Sequence, residues 1–280
     1  MLKPFLVVLQ KELCGATDPA PDIYALGHEV SEFSAEGDWR AHLQGLEALL
    51  ASSASHRPLL FVSLNAARFV QRRCPSLCRG LLLDSEKLKV HRWSGYLPQD
   101  ILLNRSFILL PFGSILARKS QLETLFGTRI FLRPDSSMKE FPGLCVDLND
   151  LEQEISALAQ IFRPDPSLLC VVDKARPLPA HEYRFWLADG RILSYASYAF
   201  GPLGQHPKMP APPCPEAMLR VAQRLAGFLE FWENPVVADL VLDEEALPKL
   251  VELNGFSTSG FYAGLNIKEL FAAIEQILLG

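Results

Sequence analysis

The chain has 280 residues, of which 49% are hydrophobic and 21% charged, and a formal net charge of -5. That is the balance of a globular protein with a sizeable core, and a prior of about 150 residues per domain gives about two domains. The negative balance excludes a broad attraction to nucleic acid or anionic membranes, slightly favours basic partners, and leaves room for a local basic site.

The opening run, Phe5 to Leu9, is too short for a signal peptide and is followed by Lys11 and Glu12, so it reads as a strand. No apolar run is long enough to span a membrane. The six cysteines, Cys14, Cys74, Cys78, Cys145, Cys170 and Cys214, lack the density of a disulfide scaffold. They point to reduced thiols and a cytoplasmic location. Cys74 and Cys78 have no matching Cys or His pair downstream, so they read as ordinary thiols.

After the turn-rich GATDPAPD, residues Ile23 to Val30 suggest a second extended segment. Asp38 is a plausible cap for a helix in which Trp39, Leu43, Leu46, Leu49 and Leu50 recur at helical spacing. Leu59 to Leu64 reads as a buried strand and Asn65 to Arg73 as an amphipathic helix, an alternation typical of α/β layers. The stretch from Gly80 to Ser114 is irregular. His91, beside Arg92 and Trp93, reads as a surface or packing residue with nothing nearby to orient it. Lys119 to Phe126 is a short helix stopped by Gly127.

From Thr128, TRIFLRPDSSMKEFPG reads as a strand ending at Arg133 and Pro134, then a polar loop carrying Lys139 and closed by Gly143. Arg133 offers a planar fork and Lys139 a mobile point charge, a complementary pair around a polyphosphate. Taken alone the signal is weak, since Lys and Arg near a loop are usually just solvated. Asp150 to Phe162 is a helix with Leu151, Ile155, Leu158 and Ile161 on one face. Leu168 to Val172 is a buried strand that continues into Asp173 and Lys174. In HEYRFWLADGRILSYASY the Asp189-Gly190 turn joins two strands into a hairpin. Glu182 and Arg184 share one face of it, either as a functional pair or as a plain salt bridge. The Pro-rich segment from Phe200 to Pro215 reads as a long loop, a lid or substrate-facing segment. Glu216 to Trp232 and Ile267 to Leu279 read as helices.

Between those helices lies VVADLVLDEEALPKLVELNGFSTSGFYAG. Val236 to Leu242 and Lys249 to Gly255 are strand candidates, and in the second Glu252 and Asn254 are two apart, on one face. A symmetric connection over Asp243 to Pro248 sets Asp239 opposite Glu252. Two facing carboxylates repel. A hard divalent cation held by oxygen ligands turns that repulsion into attraction, so Asp239, Glu252 and Asn254 are candidate Mg²⁺ ligands.

Three segments, FLRPDSSMKEFPG, LLCVVDKARPLPAHEYRFWLADGRI and the E-L-N tail, stand in the order of an ATP-grasp domain. Together they resemble the ATP-grasp clade named for two arginines and one lysine, on Arg133 of the R-P pair, Lys139 of the K-x-F-x-G loop and Arg184 of E-Y-R-F. The resemblance covers roughly Lys119 to Gly280. It implies an α/β (α+β) fold with an N-terminal pre-ATP-grasp domain over 1–115 and an ATP-grasp domain over 116–280. It further implies Mg-ATP, with Arg133 and Lys139 on the α- and β-phosphates, backbone groups of Val172, Asp173 and Lys174 on adenine, and Glu182 on the ribose. Arg184 would face the γ-phosphate or an acyl phosphate, with Lys139 and Arg184 as the catalytic pair. The implied activity is carboxylate-amine ligation through an acyl phosphate, with small-molecule or peptide acids and amines as partners and no nucleic acid or membrane. A kinase-like phosphotransferase and a non-catalytic ATP-binding module are the rival readings. Released products separate the three.

Overall fold

The computed structural model describes residues 4–15, 18–52, 56–177, 181–199, 213–262 and 264–279. In chain order the strands and helices are β1 (Phe5–Gln10), α1 (Ala20–Ala25), β2 (Glu29–Phe33), α2 (Trp39–Ser52), β3 (Arg57–Phe61), α3 (Leu64–Arg73) and α4 (Pro75–Cys78). There follow α5 (Val90–Tyr96), β4 (Ile108–Pro111), α6 (Lys119–Phe126), β5 (Arg129–Pro134), β6 (Leu144–Asp147), α7 (Leu151–Ile161) and β7 (Leu169–Lys174). The chain closes with β8 (His181–Ala188), β9 (Arg191–Ala199), α8 (Glu216–Leu229), β10 (Val236–Leu242), β11 (Pro248–Gly255) and α9 (Ile267–Leu279). The strands form three sheets of order β2-β1-β3, β11-β10-β8-β9 and β4-β7-β5-β6. The chain divides into two compact units, one of Met1–Asp84, Ala180–Leu240 and Leu253–Gly280, the other of Ser85–Pro179 and Val241–Glu252.

In the first unit, β1 is the centre of a parallel sheet, paired to β2 on one side and β3 on the other. Such a strand is covered on both faces and is apolar from Phe5 to Leu9, the buried Gln10 at its end being bonded to Ser63 N–H. All six residues of β1 are buried. The core around it joins Val7, Leu9 and Phe61 to Trp186 of β8, Val237 of β10, Phe256, Phe261 and Phe271 of α9. Phe61 is its hub, with ring centroids 5.5, 4.9 and 5.4 Å from Phe256, Phe261 and Phe271. Backbone bonds tie the same region: Val62 donates to Ser257 and Ser257 to Leu82.

The second unit builds its own core from Phe112, Leu132, Phe141, Leu151, Ile155 and Val172, on one side of the antiparallel sheet carrying β5 and β7.

Several sequence expectations change. Residues 23–25 are helical, not extended, because Asp18 Oδ1 accepts the Ala20 N–H at 3.1 Å and Pro21 sits in the first turn, both helix-start devices. The strand expected to reach Leu64 stops at Phe61, since Ser63 caps α3 by accepting from Ala66 N–H. Ile161 is 71% exposed, not on the buried face, because it lies at the last turn of α7, past the core. The Asp38 cap does form, on Ala41 N–H at 3.1 Å. The Asp189-Gly190 turn has φ of 47° and 67°, the left-handed pair that a two-residue hairpin turn requires. The Pro-rich segment lies almost wholly outside the described residues. All six cysteines are free thiols. Among the described residues no helix is long and apolar enough to cross a membrane.

Phe61→Ala is expected to cost about 3–5 kcal/mol, the range for deleting a buried aromatic ring, read as a lowered midpoint in chemical denaturation. The thiols give a second readout. Burial pushes Cys14 up to about 11 and Cys170 up to about 12, which leaves both protonated at neutral pH. Cys145 is exposed. Maleimide at neutral pH should label Cys145 in the native protein and reach Cys14 and Cys170 only after unfolding, as mapped by mass spectrometry.

Candidate functional site

In the first unit, β8 and β10 run antiparallel with Arg184 directly opposite Asp239. Both side chains are buried, at 9% and 0% exposure. The guanidinium grips the carboxylate with two bonds, Nε to Oδ1 at 2.8 Å and Nη2 to Oδ2 at 2.7 Å. Asn254 donates from Nδ2 to Asp239 Oδ2 at 2.8 Å. On the other side Arg184 Nη1 lies 3.4 Å from the Tyr262 hydroxyl, with the guanidinium carbon 5.1 Å from that ring's centre. The sequence singles out Arg184, Asp239 and Asn254 but not Tyr262, whose only signal is its place in the GFSTSGFYAG tail. Glu182, two residues before Arg184, is 4% exposed. Where the sequence leaves open a salt bridge from Arg184 to Glu182, the structure pairs the arginine with Asp239.

In the second unit, Arg133 near the end of β5 and Lys139 in the following loop converge on one carboxylate. Arg133 Nη1 is 3.0 Å from Glu252 Oε2, and Lys139 Nζ donates to Glu252 Oε1 at 2.7 Å. Lys139 has φ of 48°, the left-handed region that a residue with a Cβ seldom adopts, a cost met at functional loops. Gly143 closes the loop where a Cβ would come within 3.0 Å of the Phe131 ring. Ser136 Oγ accepts from Met138 N–H at 3.0 Å and donates to Glu140 Oε1 at 3.1 Å. Next to Lys139, the buried Ser137 Oγ and Glu140 Oε2 have no hydrogen-bond partner. Orphaned polar atoms in a native interior call for an occupant or a functional reason.

His91 is oriented, contrary to the sequence reading. Asp135 is 3% exposed, accepts the His91 N–H on Oδ1 at 3.0 Å and makes a short contact from Oδ2 to the ring Nδ1. The partner escapes notice in the sequence because it stands 44 residues away.

The strand β7 supplies a further element. Val172 pairs with Ile108 of β4, in a register that runs on, through Leu110 and Cys170, to the bond from Phe112 N–H to Leu168 O at 2.8 Å. Bonded positions alternate, so Lys174 turns its peptide groups to the same side of β7, past the point where β4 begins. Its N–H is taken by Asp173 Oδ1 at 2.7 Å. Asp173 is fully buried, and desolvation pushes its carboxyl above the usual range against the pull of Lys174 N–H, Arg176 and the Ser106 backbone. Asp173 Oδ2 and Arg176 Nε are further buried atoms without a hydrogen-bond partner.

For a divalent cation, two carboxylates and an amide are the right hard oxygen donors. Here each of those carboxylates is ion-paired to a cation of the chain. Among the described residues no group of three or more His, Cys, Asp or Glu side chains gathers into a metal cluster.

Comparison with known proteins identifies the family and the fold. The model of an ATP-grasp domain family, family 3 of the clade named for two arginines and one lysine, matches residues 78–274. Among solved structures the fold is similar to an L-amino acid ligase from Bacillus licheniformis, at 16% identity and TM-score 0.56 over 91% of this chain and 67% of that one. It is similar to the D-cycloserine synthetase DcsG, at 13% identity and TM-score 0.57 over 98% and 99% of the two chains. A D-alanine–D-alanine ligase from Bacillus anthracis, complexed with ATP, shares it at 14% identity and TM-score 0.53 over 98% and 92%. At such identities the likeness is one of fold. No curated protein sequence matches the chain. The family match spans well over half of the residues: the chain belongs to the ATP-grasp superfamily, in the two-arginine, one-lysine clade.

Proposed function

We propose that the protein is an ATP-dependent carboxylate-amine ligase that works through an acyl phosphate and uses Mg-ATP. One observation carries this reading. Each proposed phosphate-binding cation is ion-paired with a proposed metal-binding carboxylate, Arg184 with Asp239 and both Arg133 and Lys139 with Glu252. Mg-ATP brings the complementary charges, anionic phosphate for the cations and a dication for the carboxylates. Binding then exchanges ion pairs and leaves no buried charge alone, which is the condition for charges to persist in a low-dielectric interior.

On this reading Arg133 and Lys139 bind the α- and β-phosphates. The orphaned Ser137 hydroxyl beside Lys139 offers a further donor. The adenine edge would be read by peptide groups at the end of β7, foremost the Lys174 carbonyl, since its N–H is held by Asp173, with Val172 and Asp173 shaping the wall, and Glu182 would accept from the ribose. Asp239, Glu252 and Asn254 would hold Mg²⁺, which supplies charge neutralisation at the phosphates when bound. An oxygen of the substrate carboxylate attacks the γ-phosphorus, the bond to the bridging oxygen breaks, and ADP leaves. An amine then attacks the acyl carbon, phosphate departs, and the nitrogen loses a proton to give the amide. The chain's own residues contribute position and fixed positive charge, the main sources of catalysis in phosphoryl transfer. Arg184 faces the transferred group as a permanent cation and cannot act as an acid. The named activities of the L-amino acid ligase and the D-alanine–D-alanine ligase are of this kind and support the reading.

Thermal unfolding tests the nucleotide site. ATP with Mg²⁺ at a hundred times the dissociation constant adds about 2.7 kcal/mol, a rise of a few degrees. Asp239→Asn with Glu252→Gln should lose that rise relative to its own baseline, and a wild type unmoved by Mg-ATP would refute the site. Product analysis then separates the readings: ADP, phosphate and an amide for the ligase, ADP and a phosphoester for a kinase. Arg184→Lys keeps the charge and loses the fork. Turnover should fall by about a hundredfold or more, with a smaller change in the apparent affinity for ATP, as steady-state kinetics would show.

A further inference from the structure

Four arginines, Arg40, Arg68, Arg72 and Arg73, line one cleft of about 720 Å³ in the first unit, and its described lining contains no Asp or Glu. The volume is that of a small-ligand site. It is also sited as one. Gln10 ends β1, and Ser63 follows β3 by two residues; both line the cleft. In the order β2-β1-β3 the chain leaves β1 to one side and returns on the other, so these strand ends flank the topological switch point where open α/β sheets bind ligands.

Arg72 and Arg73 stand in the last turn of α3, where the dipole favours cations, and the Arg40 guanidinium lies over the Trp39 ring at 4.6 Å, but gathered in one cleft the like charges repel. Arg40 is the second residue of α2, at the helix end where a cation is disfavoured by the dipole. Arg68 and Arg72 are four apart on α3, a spacing at which like charges repel. Among the described residues Arg40, Arg72 and Arg73 make no ion pair. Meanwhile the floor is fixed: Gln10, 4% exposed, accepts the Ser63 N–H at 2.8 Å, and Ser63 caps α3. Trp39 and Phe69 meet edge to face at 5.4 Å as an apolar wall. A rigid floor, an aromatic wall and a fan of guanidinium forks match an anion with several acidic groups.

We propose that this cleft binds a small polyanion bearing two or more carboxylate or phosphate groups. None of its residues belongs to the proposed nucleotide or metal set, so the inference stands or falls apart from the ligase reading. The net charge of -5 for the whole chain argues against nucleic acid as the occupant.

Calorimetric titration at constant ionic strength tests it, with citrate and inorganic pyrophosphate as probes and no Mg²⁺ present. The expected result is saturable one-site binding of at least one probe, weakened about tenfold by Arg40→Gln and further by Arg72→Gln with Arg73→Gln, the scale of one charged hydrogen bond. Arg220→Gln, on α8 and outside the cleft, should change nothing. The altered arginines are exposed, and the half-buried Arg68 is left in place; should the double variant fail to fold, Arg40→Gln alone carries the same expectation. The Mg-ATP shift in melting should survive in the cleft variants, which separates this site from the nucleotide site. Absence of saturable binding by both probes, binding indifferent to the cleft substitutions, or binding of a single-stranded oligonucleotide alone would overturn the proposal.

Discussion

Arg184 and Asp239 form the interaction on which the first unit depends. Two full charges sit at 9% and 0% exposure, where desolvation is most costly, and only a bidentate geometry with a further bond from Asn254 makes their burial tolerable. That requirement fixes neighbours as well. β8 and β10 must be in the register that sets the two residues opposite, and Asn254 must come off β11 on the same face. Any ligand that takes Arg184 must bring a positive charge for Asp239. On the proposed reading this couples nucleotide to metal: phosphate without its cation would strand a buried carboxylate, and cation without phosphate would strand a buried guanidinium.

The second unit repeats the arrangement with a different mechanical character. Glu252 is gripped by one arginine from a strand end and one lysine from a loop, the lysine 37% exposed and in a left-handed backbone. A bond to such a lysine is easily given up. The contrast between a locked pair and a loosely held one follows from where each cation sits, on a central strand or in a loop.

Much of this is legible without coordinates. Strands, the hairpin turn, the helix stops and the E-x-N pattern are local, and local periodicity carries them. The ion pairs are not legible, since Arg184 and Asp239 are 55 positions apart and Lys139 and Glu252 are 113 apart. Alternation misleads in β8, where it sets Arg184 on a polar face opposite Tyr183 and Phe185. Both faces of that strand are buried, and the arginine is there because a carboxylate waits for it. His91 is missed for the same reason, its orienting Asp135 being remote in sequence. The arginine cleft escapes because its charges come from separate elements and cancel in the overall composition.

The aromatic hub around Phe61 bears on how the family fold can be used. The N-terminal strands β1 and β3 do not merely precede the portion that matches the ATP-grasp family; they pack against Trp186, Val237 and Phe256, and Val62 is bonded to the loop that follows Asn254. A fragment beginning after Asp84 would therefore expose the apolar backs of β8 and β10 to water and leave the E-x-N loop without its anchor. Gene fusions, circular permutations and cassette exchanges that treat the first third of the chain as a detachable specificity module would meet a shared core instead of a linker. Diversification of whatever this N-terminal part recognises is confined to surface positions such as the arginine fan, because the strands beneath are already committed to holding the rest together.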